Sequence, residues 1–184
     1  EHLEVVEIDI LTKDNKIKTV LWDSAPILDE EGKNIIATIS VDITSRRQSQ
    51  LALQKSESHL RTLVRTIPDL IWLKDTKGLY LLCNPMFERF FGAKETDIIG
   101  KTDYDFVDRE LADFFCENDR KAMEAGKPTS NEEWVTFADG GHRAFLDTIK
   151  SPIYDSDGTL LGVLGIGRDI TERKRAEMEL IEAK

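Results

Sequence analysis

The sequence predicts an α+β fold: a five-stranded antiparallel sheet with helices grouped over one face, flanked by amphipathic helices. Two observations predict it. A turn–strand–helix pattern occurs twice. Between the copies, apolar residues follow strand, strand, short helices, longer helix, then three strands. In the first copy Ala25-Pro26-Ile27-Leu28-Asp29-Glu30-Glu31-Gly32 precedes an apolar run and then Asp42-Ile43-Thr44-Ser45-Arg46-Arg47. In the second, Ser151-Pro152-Ile153-Tyr154-Asp155-Ser156-Asp157-Gly158 precedes an apolar run and then Asp169-Ile170-Thr171-Glu172-Arg173-Lys174. The copies lie about 126 residues apart, a domain's length rather than a solenoid unit.

Each element has its own reason. Residues 29–32 and 155–158 are turns that end in Gly, which is free to take positive φ. They separate strand-like runs over 18–27 and 144–154. Leu60, Leu63, Val64 and Ile67 form a helical stripe over 56–67, stopped by Pro68. Residues 69–75 and 79–83 make a hairpin around Thr76-Lys77-Gly78. Asn84 caps a short helix whose first turn contains Pro85 and which closes at Gly92. A short helical turn covers 94–100 and a longer helix 109–125, ending at Gly126. Strands over 132–138, 142–154 and 159–168 complete the sheet. The run from Leu160 to Ile166 is Gly-rich, as expected of a central strand against which something packs closely.

Composition bounds the function. Among 184 residues, 35 are acidic and 25 basic, a formal net charge of -10. Such a surface repels phosphate backbones and argues against nucleic acid as a direct partner. No apolar run reaches the roughly 18–20 residues that span a bilayer, so this segment is expected to make no membrane contact. The chain opens on Glu1 without a signal sequence, as expected of a piece of a longer protein. Cys83 and Cys116 lack metal-ligand spacing and read as reduced thiols in a cytoplasmic setting, with no metal site. His2, His59 and His142 are scattered, and neither a Ser-His-Asp set nor a phosphate-cradling Gly loop occurs, so no catalytic residue is assigned. Asp103 and Asp105 are expected in a solvated loop.

The order of elements resembles the PAS family of sensor domains. The stretches that carry the likeness are TIPDLIWLKDTKGLYLLCNPMFERFFG, IIGKTDYDFV, RKAMEAGKP and SPIYDSDGTLLGVLGIGRDITERK. It covers residues 57–174 as a whole domain, while 1–44 resembles only the last three strands of another. The organisation expected is therefore a partial first copy (1–44), a linker helix (45–67), a complete second copy (68–171) and the start of an output helix (172–184). Three strands alone leave an open edge and an uncovered face, so the first copy is expected to pack against a second chain or the second domain.

The resemblance implies a sensory and relay module of a prokaryotic signalling protein, a sensor histidine kinase by first choice, whose effector domain lies elsewhere in the same chain. The alternatives are a ligand-free dimerisation spacer and the PAS region of a cyclic-dinucleotide cyclase or phosphodiesterase. Flavin-photoreceptor PAS domains carry a reactive Cys that has no counterpart near residues 100–105. Haem-binding ones offer a His on the longer helix, where this sequence has none. Neither cofactor is expected, and any other cofactor stays unassigned. A small-molecule pocket is the remaining binding site. Its candidate residues are Trp72, Lys74, Phe87, Phe91, Tyr104, Phe106, Phe114, Phe115, Trp134 and Phe145, with Phe90 and Phe137 in the same aromatic set; packed core is the competing reading for all of them. Lys74 shares a strand face with Trp72 and is expected at the strand end in water. His142 is expected to be exposed or capping.

The resemblance also implies that each Asp-Ile-Thr couples sheet to helix. Asp169 and Thr171 would fix the helix start with Arg173 as ion-pair partner; Asp42, Thr44 and Arg46 would do the same in the first copy. Leu53, Leu60, Val64 and Ile67 have a short coiled-coil spacing, and Ala176, Leu180 and Ala183 form a stripe on the tail. A helix of about a dozen residues is marginal alone, so a homodimer through the flanking helices is expected.

Overall fold

The computed structural model describes residues 5–28 and 30–182. The expected turn residue Asp29, the stripe residue Ala183 and His2 lie outside them. The chain divides into two compact units, Glu1–Arg61 and Thr62–Lys184.

The first unit is a meander. Strands β1 (Val6–Leu11), β2 (Ile17–Leu28) and β3 (Asn34–Asp42) pair antiparallel in that order. Alternation places Val6, Ile8, Val20 and Trp22 on one face, by the register Val6↔Trp22 and Ile8↔Val20. Helix α1 (Thr44–Thr66) leaves β3 one residue after its end.

The second unit holds the five-stranded antiparallel sheet that the sequence predicts. Its strands are β4 (Leu70–Asp75), β5 (Tyr80–Cys83), β6 (Thr129–Thr136), β7 (Arg143–Tyr154) and β8 (Leu160–Asp169), in the order β5-β4-β8-β7-β6. Between β5 and β6 come α2 (Pro85–Phe91), α3 (Glu95–Ile98), a 3₁₀ turn at Asp103–Asp105 and α4 (Arg109–Ala125). Helix α5 (Thr171–Glu182) follows β8. The 3₁₀ turn replaces the loop expected there: Thr102 and Asp105 form a capping box that closes it.

Local chemistry fixes these elements. Asn84 is fully buried, and its side-chain oxygen accepts from the amides of Ile71 and Phe87, each at 3.1 Å. Its amide nitrogen donates to the carbonyls of Asp69 (2.8 Å), Ile67 (3.3 Å) and Val64 (3.4 Å). One side chain thus joins the end of α1, the start of β4 and the first turn of α2. Asp108 caps α4 by accepting from the Leu111 amide at 3.0 Å.

The core lies between the sheet and α2–α4. Trp72, Gly165 and Lys150 face one another across β4, β8 and β7, in the register Trp72↔Gly165 and Lys150↔Gly165. The indole lies flat where a side chain on residue 165 would be: a Cβ there would sit 2.1 Å from the Trp72 ring. That close approach is what the Gly-rich strand provides. Phe87 packs on Trp72 at 5.0 Å and on Phe91 at 4.6 Å, and Phe106 stacks on Phe91 at 4.6 Å.

Candidate sensory cavity and junction

Four charged side chains meet at the centre of the second unit. Lys74 from β4, Asp103 from the 3₁₀ turn, Asp119 from α4 and Lys150 from β7 are only 1%, 1%, 4% and 2% exposed. Lys74 Nζ donates to Asp103 Oδ2 at 2.5 Å and to Asp119 Oδ2 at 2.7 Å. Lys150 Nζ donates to Asp119 Oδ1 at 2.5 Å and to the Phe115 carbonyl at 2.9 Å. Tyr80 Oη donates to Asp103 Oδ1 at 2.6 Å. The cluster contains two ammonium groups and two carboxylates, so it is neutral as a whole. Neutrality and the pairing of each charge with an opposite one are what let these groups lie out of water.

The charges respond to this setting. Burial opposes the charge on Lys74, but Asp119 and Asp103 outweigh it and hold the ammonium pKa above its usual value. Burial dominates at Lys150 and lowers its pKa, although Asp119 acts the other way. Burial, then the Asp103 carboxylate, raises the Tyr80 phenol well above the ordinary range. Burial also raises Glu133, whose Oε1 accepts from Thr148 Oγ1 at 2.9 Å.

A small cavity adjoins the cluster, with a free volume of about 20 Å³. Trp72, Phe87, Phe90 and Phe115 form its aromatic walls, and Lys74, Lys150, Asp103 and Glu133 supply its polar groups. That space is the size of one water molecule.

The candidate pocket residues divide accordingly. Trp72, Lys74, Phe87 and Phe115 line the cavity. Phe91 and Phe106 belong to the surrounding core. Tyr104 and Phe114 are exposed, and the Tyr104 hydroxyl donates to Asp113 at the surface. Trp134 and Phe145 lie on the opposite face of the sheet, paired at 4.9 Å. Strand alternation dictates this, since Phe145 sits between the buried Ala144 and Leu146. Two sequence expectations are corrected. Lys74 is not at a solvated strand end, because the 3₁₀ turn and α4 cover it and neutralise it. Asp103 is not in a solvated loop but inside the cluster; Asp105 does stay exposed. Tyr80, Asp119, Glu133 and Lys150 belong to no site motif legible in the sequence. Lys150 had a signal, because it alternates in phase with Ala144, Leu146 and Thr148.

The two Asp-Ile-Thr junctions have the same geometry. In the second, Asp169 Oδ1 accepts from the Thr171 amide at 2.9 Å and from its hydroxyl at 2.5 Å. The Thr171 hydroxyl oxygen accepts from the Phe145 amide of β7 at 2.8 Å, and the Ile170 amide donates to the Phe145 carbonyl at 2.8 Å. In the first, Asp42 Oδ1 accepts from the Thr44 amide at 3.0 Å and hydroxyl at 2.6 Å. The Thr44 hydroxyl oxygen accepts from the Thr19 amide at 3.0 Å, and the Ile43 amide donates to the Thr19 carbonyl at 2.9 Å. Each Thr thereby ties the first turn of a helix to the neighbouring strand. His142, exposed as expected, places Nε2 3.5 Å from Asp169 Oδ2.

The basic residues after each Asp-Ile-Thr divide between the helix surface and the sheet. Arg173 pairs with Glu177 along its own helix at 3.4 Å. Arg46 lines a surface groove beside Glu7 and Leu21. The contacts that reach the far strand come one residue later. Arg47 pairs with Glu7 of β1 at 3.0 Å, and Lys174 with Glu132 of β6 at 3.2 Å. Glu7 and Glu132 occupy equivalent places, opposite Leu21 and Asp147. A helix presents a different face every 100°, so a shift of one residue redirects the charge from the helix surface to the sheet.

Comparisons agree with this architecture. The family described as the PAS fold matches residues 64–175. The methanogenesis regulatory histidine kinase FilI of Methanothrix harundinacea is 35% identical over 130 residues, 71% of this chain and 14% of that protein. The aerobic respiration control sensor protein ArcB of Escherichia coli is 31% identical over 130 residues, 71% of this chain and 17% of that protein. The chain thus spans about a sixth or less of these relatives. The PAS domain of a Colwellia psychrerythraea protein superimposes with a TM-score of 0.52 at 22% identity, over 66% of this chain and 98% of that one. Among the described residues no helix is long and apolar enough to cross a membrane.

Proposed function

The chain belongs to the PAS family, and from that premise we propose that it senses and relays a signal within a larger prokaryotic protein, a sensor histidine kinase. The PAS region itself is a sensory, non-catalytic module, homologous to the sensor regions of histidine kinases. A change in the charged cavity passes along β7 to the Asp169-Ile170-Thr171 junction and into α5, which leads to the effector. One observation carries this reading. Strand β7 contributes both Lys150 to the cluster and Phe145, whose amide and carbonyl hold the start of α5. A shift in how Lys150 is held is therefore five residues from the helix it would turn.

The exposed apolar residues Leu53, Leu60 and Leu63 of α1, with Leu180 and Ile181 of α5, support pairing of the flanking helices with a second copy. The second reading, a relay and dimerisation spacer without a ligand, is favoured by the small free volume of the cavity.

A chimera in which this chain replaces the matching region of a histidine kinase tests the relay. Lys150→Met and Thr171→Val are each expected to change autophosphorylation several-fold, whereas the surface change Arg120→Ala leaves it as it was. Autophosphorylation indifferent to both substitutions refutes the relay.

A further inference from the structure

The two lysines of the cavity are arranged around a single carboxylate. Asp119 presents one oxygen to each: Oδ2 to Lys74 at 2.7 Å and Oδ1 to Lys150 at 2.5 Å. An ammonium group has three N–H donors. Lys74 uses two on Asp103 and Asp119, and Lys150 uses two on Asp119 and the Phe115 carbonyl. Each lysine keeps one donor, and both line the cavity.

We propose that Lys74 and Lys150 form a carboxylate-binding site, that Asp119 fills it in the resting state, and that the ligand sensed is a small monocarboxylate that takes the place of Asp119. The inference rests on the sensory reading of the cavity and supplies the class of its ligand.

Charge balance selects the class. With Asp119 in place the four-residue cluster holds two positive and two negative groups, and Glu133 beside it has its pKa raised by burial, toward the neutral form. A carboxylate that enters as Asp119 leaves for water preserves that balance. A cation, or an anion added without exchange, would bury a net charge, which is costly at this depth. A neutral molecule gives the lysines no substitute for the carboxylate they would lose. Size selects further, because a free volume of about 20 Å³ plus the space of one carboxymethyl group admits only a few heavy atoms. Apart from the charged groups and Glu133 the walls are mainly aromatic, with Trp72, Phe87, Phe90 and Phe115, so a body beyond the carboxylate is expected to be apolar or flat.

The exchange has a mechanical consequence. Asp119 lies midway along α4, on the buried side with Phe115 and Ala122. It connects that helix to β4 and β7 at once. Its release frees the helix from both strands, while the ligand keeps the two lysines together.

Chemical rescue tests the site in the full chain. Asp119→Ala removes the resident carboxylate without lowering helix propensity and leaves room for formate. Thermal unfolding is followed in sodium formate against sodium chloride at equal ionic strength, with formamide as the neutral molecule of the same shape. The variant's midpoint is expected to rise saturably by about 4 °C or more in formate alone. The unsubstituted chain should need at least roughly tenfold more formate, because its own carboxylate competes at high effective concentration. Lys150→Met added to Asp119→Ala should abolish the rise. If Asp119→Ala does not fold in chloride, the folded fraction recovered on refolding in formate reads the same quantity. A response matched by chloride or formamide, one that survives Lys150→Met, or none at all overturns the proposal. Rescue together with unchanged autophosphorylation in the chimera would keep the carboxylate site and remove the relay; the opposite pair of results would keep the relay and remove the site.

Discussion

At Gly165 the absence of a side chain decides the packing of the central strand. Any Cβ there would fall within 2.1–2.7 Å of three atoms of the Trp72 indole, which is itself wedged against Phe87. Gly165→Ala is expected to destabilise the second unit by about 1–3 kcal/mol, the usual cost of overpacking, measured by denaturant unfolding. A stability equal to that of the unsubstituted chain would mean that the indole can move aside. Lys74 makes the complementary case. Lys74→Met leaves Asp103 and Asp119 facing each other in a buried site, and a loss of about 3–5 kcal/mol is expected. Adding Asp103→Leu should recover part of that loss, because it removes the charge left unpaired. The role of Lys74 was only half legible in the sequence. Alternation with Trp72 fixed the face on which it lies, but nothing local showed that residues 29 and 45 positions away would bring carboxylates to it.

The helix starts show what an element needs in order to follow a sheet. Asp169 accepts two hydrogen bonds from Thr171, and Thr171 in turn receives one from β7. Burial tends to raise the Asp169 pKa, yet the bonds from Thr171 and the neighbouring His142 outweigh it and leave it below the ordinary carboxylate value. A carboxylate depressed in the folded state contributes stability above its unfolded pKa and loses it as pH falls through the folded one. The start of α5 should therefore loosen as pH drops below about 4. Amide exchange at Thr171 measures this, and Asp169→Ala should abolish the pH dependence. The Asp-Ile-Thr repeat was fully visible in the sequence, since the cap depends on neighbours two residues apart. The ion pair to the edge strand was not, because choosing Lys174 over Arg173 requires the direction of the helix relative to β6.

On the scale of the whole molecule, order and spacing carried most of the fold. The repeat matched the β2–β3 pattern to that of β7–β8, and the periodicity placed every strand of the second sheet within a few residues. The interior of the cavity was hidden, because its four charged groups come from four elements and meet only after folding. The aromatic set misled at Trp134 and Phe145, where β-strand alternation was the better guide than residue type. The proposed relay requires that the buried cluster and the α5 junction be coupled through β7. Hydrogen exchange of Lys150→Met beside the unsubstituted chain tests that coupling most directly. Faster exchange, by about tenfold or more, is expected at the Phe145, Ile170 and Thr171 amides, with the β1–β3 unit unchanged. Faster exchange confined to the neighbours of residue 150, with the junction amides as protected as before, would contradict it.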